Sequence, residues 1–318
     1  MLTVFTISAT PKTKTKHMGF CMLLPSTTWI ESMHITLSEN LSYCVGVKRT
    51  LKLVNELLEK NPDHSYYMLG EIVHNEYVIN ELKSKGLHII RNLDDITDHG
   101  TVIIQSHGVP LKVLEELKQK NINYIDATCP MVRVIHHKIK KLEDQGFFPV
   151  IIGKKGHDEV RGIAGQVKRS LIIGHPEEVK PDLFCGIQKA GVVVQSTYIR
   201  TEAHAIVDEL KSLGLEIKFK DTICQPTTQR QDEMKNLAGN FDCTLIIGSK
   251  TSANTNHLYR LASQTETCVY LVDEPESVKD LPIPKDSTVF ISSGASTPMY
   301  LIERVISILT QEQINNKR

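Results

Sequence analysis

Three cysteines stand at the same kind of corner, each where a short apolar run ends and an amphipathic segment begins: Cys44 in "LSYCVGV", Cys129 in "DATCPMV" and Cys224 in "DTICQPT". A thiolate can be a nucleophile or a metal ligand, whereas a free cysteine in apolar surroundings is often only a small core residue. Repetition separates these readings. A second polar turn follows each cysteine after 28 to 30 residues and a third after 63 to 72: His74 and His107 after Cys44, His157 and Ser196 after Cys129, Asn254 and Ser296 after Cys224. The other cysteines read as packing residues, Cys243 and Cys268 because they lie inside apolar strands, Cys185 and Cys21 because they match no frame.

Self-similarity at a period of roughly 90 residues implies three related α/β units. Functional groups in parallel α/β sheets gather at the carboxyl ends of the strands, so three units about one axis would aim nine polar corners at a central cavity. Structural zinc takes four ligands, commonly from close cysteine pairs, and such pairs are absent. A cubane iron-sulfur cluster also usually takes four thiolates; three would leave one iron open as a Lewis acid for a substrate oxygen. Helix starts lined with Ser, Thr, Asn and Gly favour an anion, and the lack of a Walker lysine motif or a GxGxxG argues against a nucleotide. Three helix ends supply only about 1.5 positive charges against about three negative charges on a diphosphate. His74, His107 and His157 are therefore expected to share the load, at least one of them protonated. Glu159, in "GHDEVRG", reads equally as a proton donor and as a first-turn acid satisfying the helix dipole.

These corners need elements to hold them. Twelve strands are expected, beginning with "HITL" at 34 and ending with "TVFIS" at 288, and several are continuous apolar runs such as "PVIIG" and "GVVVQ", as in parallel strands buried on both faces. Helical stretches alternate with them; Val47, Leu51, Val54 and Leu58 fall on one face of the first. Grouping by fours, with a cysteine after the first strand of each group, gives units at 33–128, 129–220 and 221–311 and a tail at 312–318. The fold class is α/β, three units each with a mainly parallel four-stranded sheet.

The 318 residues carry 37 basic and 37 acidic side chains and are 41% hydrophobic, which suits a large globular core and advertises no nucleic-acid groove. No stretch is long and apolar enough to span a membrane. Seven unclustered cysteines point to a reducing compartment. Residues 1–32, rich in Ser and Thr and without an acid before Glu31, read as an extension ahead of a start at Met33 or as a targeting segment, and are expected to lie outside the fold. The location is then cytoplasmic, or a plastid-type organelle if the segment is a transit peptide.

Taken together, "EIVHN", "SHGV", "DATCP", "GHDEV", "TTQRQ", "GSKTSANTN" and "GAST" resemble, in order and spacing, the 4-hydroxy-3-methylbut-2-enyl diphosphate reductase (LytB) family, from Met33 to the end. The resemblance implies a monomeric trefoil around an oxygen-sensitive 4Fe-4S cluster with one open iron site, held by Cys44, Cys129 and Cys224. It implies an allylic diphosphate as substrate and ferredoxin or flavodoxin as electron donor. His74, His107 and His157 then match diphosphate ligands, Glu159 the proton-delivering acid, and Ser196, Ser252, Ala253, Asn254 and Ser296 further substrate contacts. The chain departs from the family's pattern at "LSYC", where "RGFC" is usual, at Ser196 for threonine, at Ala253 for serine and at Gln229 for asparagine. Two other readings use the same corners: a three-cysteine dehydratase of the quinolinate synthase type, and a non-catalytic iron-sulfur sensor.

Overall fold

The structure, a computed structural model, describes residues 33–315 and a two-residue strand at positions 4 and 5, with side chains from 33 to 311. The chain opens with β1 (Val4–Phe5), β2 (His34–Leu37) and helix α1 (Val45–Lys60). Next come β3 (Tyr66–Leu69), α2 (Glu76–Ser84), β4 (Leu87–Ile90), β5 (Thr101–Ile104), α3 (Leu111–Gln119) and β6 (Tyr124–Asp126). A second run holds α4 (Pro130–Asp144), β7 (Phe148–Ile152), α5 (Asp158–Ala164), β8 (Leu171–Ile173), β9 (Lys189–Val194), α6 (Arg200–Ser212) and β10 (Glu216–Lys220). The third holds α7 (Gln225–Leu237), β11 (Cys243–Ile247), α8 (Ala253–Ala262), β12 (Cys268–Val272), β13 (Thr288–Ser293) and α9 (Met299–Asn315). All twelve expected strands form, and no helix among the described residues is long and apolar enough to cross a membrane.

Three sheets result, in the orders β4-β3-β5-β6, β10-β9-β7-β8 and β1-β2-β13-β11-β12. Every pairing is parallel except that of β1 with β2. Helices cover both faces, which is why Val150, Ile151, Ile152, Val192, Val193 and Val194 are all fully buried whichever way their side chains point. In each sheet the strand order reverses at one place, between β3 and β5, β7 and β9, or β11 and β13. Ligands of open α/β sheets bind at that reversal, beyond the carboxyl ends of the strands.

The sheets correct two expectations. Strand β2 does not belong with the unit that follows it; it pairs with β13, His34 opposite Thr288 through Leu37 opposite Ile291. Ile35 joins a core with Val289, Ile291, Ile302 and Val305, so the third sheet is completed by the beginning of the chain, and the cysteine corners follow β6, β10 and β2, the strands paired with β5, β9 and β13. Local patterning could not show this, because an apolar tetrapeptide fits the edge of either sheet. Residues 1–32 were expected to stand outside the fold, yet Val4–Phe5 adds an antiparallel strand to β2; the rest of that segment and its two readings lie outside the described residues.

Ile35→Ala removes buried methyl groups from the third core and is expected to cost about 2–4 kcal/mol. Hydrogen exchange on the variant should speed up at Ile246 and Phe290 before it does at Ile103; faster exchange confined to the first sheet would contradict the pairing.

Candidate active site

Each cysteine is the residue from which a helix departs: Cys44 caps α1, Cys129 caps α4 and Cys224 caps α7. None gives its helix a side-chain cap, since sulfur is a weak acceptor, and none of these helices has an acid in its first turn. Backbone N–H groups do the positioning. Cys44 donates to Ala295 O at 3.2 Å, Cys129 to Ser106 O at 2.9 Å and Cys224 to Ser196 O at 2.9 Å. The three bonds are equivalent: each ties a cysteine corner to the turn after the neighbouring strand, β13, β5 or β9.

The thiols converge. A Cβ placed on Gly46 would lie 2.8 Å from Cys129 Sγ and 3.8 Å from Cys44 Sγ, so two sulfurs meet over a residue that has to lack a side chain. All three cysteines are free and half-buried. Burial pushes the Cys129 and Cys224 thiols up, the nearby Cys44 and Glu159 add to this, and the Thr227 hydroxyl 3.1 Å from Cys224 Sγ opposes it. Crowded thiols of this kind become thiolates when a metal supplies positive charge. Unpaired, mutually close and short of one ligand for a closed tetrahedral site, the donor set fits a three-thiolate iron-sulfur cluster.

Beside the thiols lie three imidazoles. His74 follows β3, His107 follows β5 and His157 caps α5, and their ring centroids stand 5.3 to 5.6 Å apart. Glu71 Oε2 lies 3.2 Å from His74 Nδ1, Gln105 Oε1 makes a short contact with His107 Nδ1, and His157 Nδ1 accepts from Glu159 N at 3.2 Å. Those contacts leave the Nε2 side of the cluster open, and His74 Nε2 is buried without a partner. Burial holds His107 well below the ordinary imidazole value and takes His157 down to about 3, with the neighbouring rings adding to both. Both shifts favour the neutral rings at neutral pH, so a charged ring at His107 or His157 needs a bound anion to stabilise it.

Nitrogens of the three rings lie within 4.8 Å of one another, a set that could also hold a divalent metal. The third unit favours an anion. Ser252 caps α8, accepting from Thr255 N at 3.4 Å, and Ser296 Oγ donates to Ser252 Oγ at 3.4 Å. Asn254 Nδ2 is buried without a partner, and an amide nitrogen can only donate. Ala253, next in line, is buried and brings only its backbone and methyl. Unmet donors at a helix start call for an acceptor such as phosphate.

Glu159 is 1% exposed and carries no cationic partner. Its Oε1 accepts from Ser196 N at 2.6 Å and its Oε2 from Ser196 Oγ at 2.7 Å. Burial raises its pKa, against the two Ser196 bonds, so the carboxyl retains its proton to higher pH than an exposed one. A first-turn acid serving only the helix dipole would be solvated, and this one is not.

Not every contributor was found beforehand. Arg230, in the "TTQRQ" stretch, is 4% exposed; its Nη2 donates to Ser42 O at 2.7 Å and its Nη1 to Pro226 O at 3.3 Å, bringing a cation near Cys44 and Cys224. It lies within the polar helix α7, where nothing in the local pattern marks one arginine as buried. Cys268 and Cys185, read as packing residues, are exposed: β12 is the edge of its sheet, and Cys185 follows a surface turn. Gly46→Ala tests the convergence. The new methyl must displace Cys129 Sγ, so the anaerobically reconstituted variant is expected to hold far less iron and sulfide than the parent at unchanged helical content; equal iron would refute the shared corner.

Residues 35–310 match the family model described as LytB protein. The 4-hydroxy-3-methylbut-2-enyl diphosphate reductase of Clostridioides difficile (strain 630) is 34% identical over 278 residues, spanning 87% of this chain and 99% of that protein. Its namesake from Aquifex aeolicus (strain VF5) is 35% identical over 275 residues, spanning 86% and 94%. A solved structure of (E)-4-hydroxy-3-methyl-but-2-enyl diphosphate reductase, described as the terminal enzyme of the non-mevalonate pathway, superposes with a TM-score of 0.65 at 33% identity, covering 87% of this chain and 99% of that one. The E-1-hydroxy-2-methyl-but-2-enyl-4-diphosphate reductase of Plasmodium falciparum superposes with a TM-score of 0.79 at 27% identity, covering 88% of each chain. With one sequence pattern and one three-unit α/β trefoil shared over nearly the whole described length, the chain belongs to the LytB family.

Proposed function

We propose that this chain reduces (E)-4-hydroxy-3-methylbut-2-enyl diphosphate to isopentenyl and dimethylallyl diphosphate, the last step of the methylerythritol phosphate route to isoprenoids. The observation that carries the reading is Glu159, a buried carboxyl with a raised pKa and a hydroxyl partner, beside three thiols and a set of unmet donors. The reaction breaks one C–O bond and consumes two electrons and two protons, releasing water. It therefore needs an electron source, an acid and an anchor for the diphosphate.

Cys44, Cys129 and Cys224 would hold one 4Fe-4S cluster, which when bound supplies the electrons and Lewis acidity towards the hydroxyl oxygen. Everything else falls to side chains. His74, His107, His157, Ser252, Asn254 and Ser296, with the backbone of Ala253, bind the diphosphate and so fix where the hydroxyl end lies. Glu159 gives its proton to the departing oxygen, and Ser196 Oγ, already bonded to Glu159 Oε2, orients the carboxyl and relays the proton. All nine corners come from one chain, so a monomer suffices, with a ferredoxin or flavodoxin as electron donor. A dehydratase of the quinolinate synthase type would consume no electrons, and a sensor would have no use for a buried acid.

Glu159→Gln preserves shape and removes the proton. The variant is expected to keep its iron and bind the diphosphate while turnover drops by about 10²–10⁴-fold; near-normal turnover would remove Glu159 from the mechanism. Histidine protonation gives a second check. In the free protein the depressed His107 and His157 take up protons only well below about pH 6.5, the unperturbed histidine value. A bound diphosphate favours the charged rings, so binding at pH 7.5 should take up about one proton. Calorimetry of the iron-loaded protein with inorganic diphosphate, in buffers of different ionisation enthalpy, reads this directly, and zero uptake would contradict the histidine role.

A further inference from the structure

The proposed reduction consumes two electrons that the substrate does not carry, so they must enter through the protein's surface, and the cysteine helices show where. Val45, immediately after Cys44, is 76% exposed; Met131, two residues after Cys129, is 43% exposed and Val134, one turn on, 42%. These side chains form one patch, because Gly46 abuts Cys129 Sγ and Arg49 of α1 donates to Thr128 O at 3.4 Å. A basic collar surrounds it. Lys48 and Arg49 share the helical face of Val45, and Arg133, itself bridged to Asp126, precedes Val134. From 45 to 55 and from 130 to 142 the two helices carry seven lysines and arginines and no acid, in a chain whose charges balance overall. Helices α2, α5 and α6, by contrast, start with acids.

We infer that the apolar tip formed by Val45, Met131 and Val134, with its collar of Lys48, Arg49 and Arg133, is the docking surface for a small acidic one-electron carrier protein. This rests on the reductase reading given above. Opposite charge steers such a partner, and desolvated contact at the tip holds it over Cys44 and Cys129. The chain's own first 32 residues do not fit the collar, since Lys12, Lys14, Lys16 and His17 repeat its sign and Glu31 is their single acid. A nucleic-acid strand would find no use for an aliphatic tip. Per turnover, two carrier molecules each give up one electron, the C–O bond breaks, and a C–H bond and water form with two protons.

The test compares two reductants on the iron-loaded full chain: reduced methyl viologen, which needs no docking, and a dithionite-reduced acidic [2Fe–2S] ferredoxin. Lys48→Glu and Val134→Glu are exposed and outside the substrate site. Each is expected to leave viologen turnover unchanged and to raise the KM for ferredoxin about tenfold, with a weaker salt dependence for Lys48→Glu. Equal losses with both reductants, or an unchanged ferredoxin KM, would overturn the docking surface. Parent protein that turns over with viologen and not with ferredoxin would also overturn it, as would binding of both variants to an oligonucleotide or an anionic vesicle in place of ferredoxin. Failure with both reductants in the parent would instead overturn the reductase reading.

Discussion

Three backbone hydrogen bonds hold the site together: Cys44 N to Ala295 O, Cys129 N to Ser106 O and Cys224 N to Ser196 O. Each joins the corner after one strand of a sheet to the turn after the strand paired with it, so the same bond recurs with threefold regularity. Three cysteines spread over 181 positions of chain, from Cys44 to Cys224, need such a constraint to act as the proposed ligand set, because loops without a tie would not bring three sulfurs together. The ring closes only because β2 pairs with β13, carrying Cys44 from the beginning of the chain to the carbonyl near its end. Sheet topology and the convergence of the three cysteines are thus one requirement.

The electrostatics of the cavity follow from what these ties bury. Glu159, His107 and His157 sit where burial disfavours their charged forms, and the cavity answers with neutral donors and with Arg230 near two of the thiols. Neutral donors and a buried cation suit anionic groups, such as the proposed thiolate cluster and diphosphate. Arg230 is held by carbonyl oxygens of Ser42 and Pro226 rather than by a carboxylate, so its charge is not spent on an internal ion pair. The acid at Glu159 stays protonated more readily than a surface carboxyl for the same reason of burial, with Ser196 setting its direction.

Much of this was legible in the residues. The repeated offsets from Cys44, Cys129 and Cys224 led to His74, His107, His157, Ser196, Asn254 and Ser296, because a repeat puts like residues at like corners. All twelve strands were visible as short apolar runs. What stayed hidden depends on contacts across the chain: "HITL" looks the same whether it pairs with β3 or with β13, and Cys268 looks buried until β12 proves to be an edge. The depth at which His107 and His157 are buried was not legible, because spacing reveals neighbours and not burial. The basic collar escaped notice because it vanishes in a net charge of zero.

The central claim is that three corners of a threefold repeat present one cluster and one diphosphate to each other. Mössbauer spectra of the anaerobically reconstituted, ⁵⁷Fe-labelled protein, with and without (E)-4-hydroxy-3-methylbut-2-enyl diphosphate, test it most directly. The account predicts a cluster with one iron in four distinct from the rest, whose signal alone shifts when the diphosphate is added. Four equivalent thiolate-bound irons, or a spectrum indifferent to the diphosphate, would contradict it.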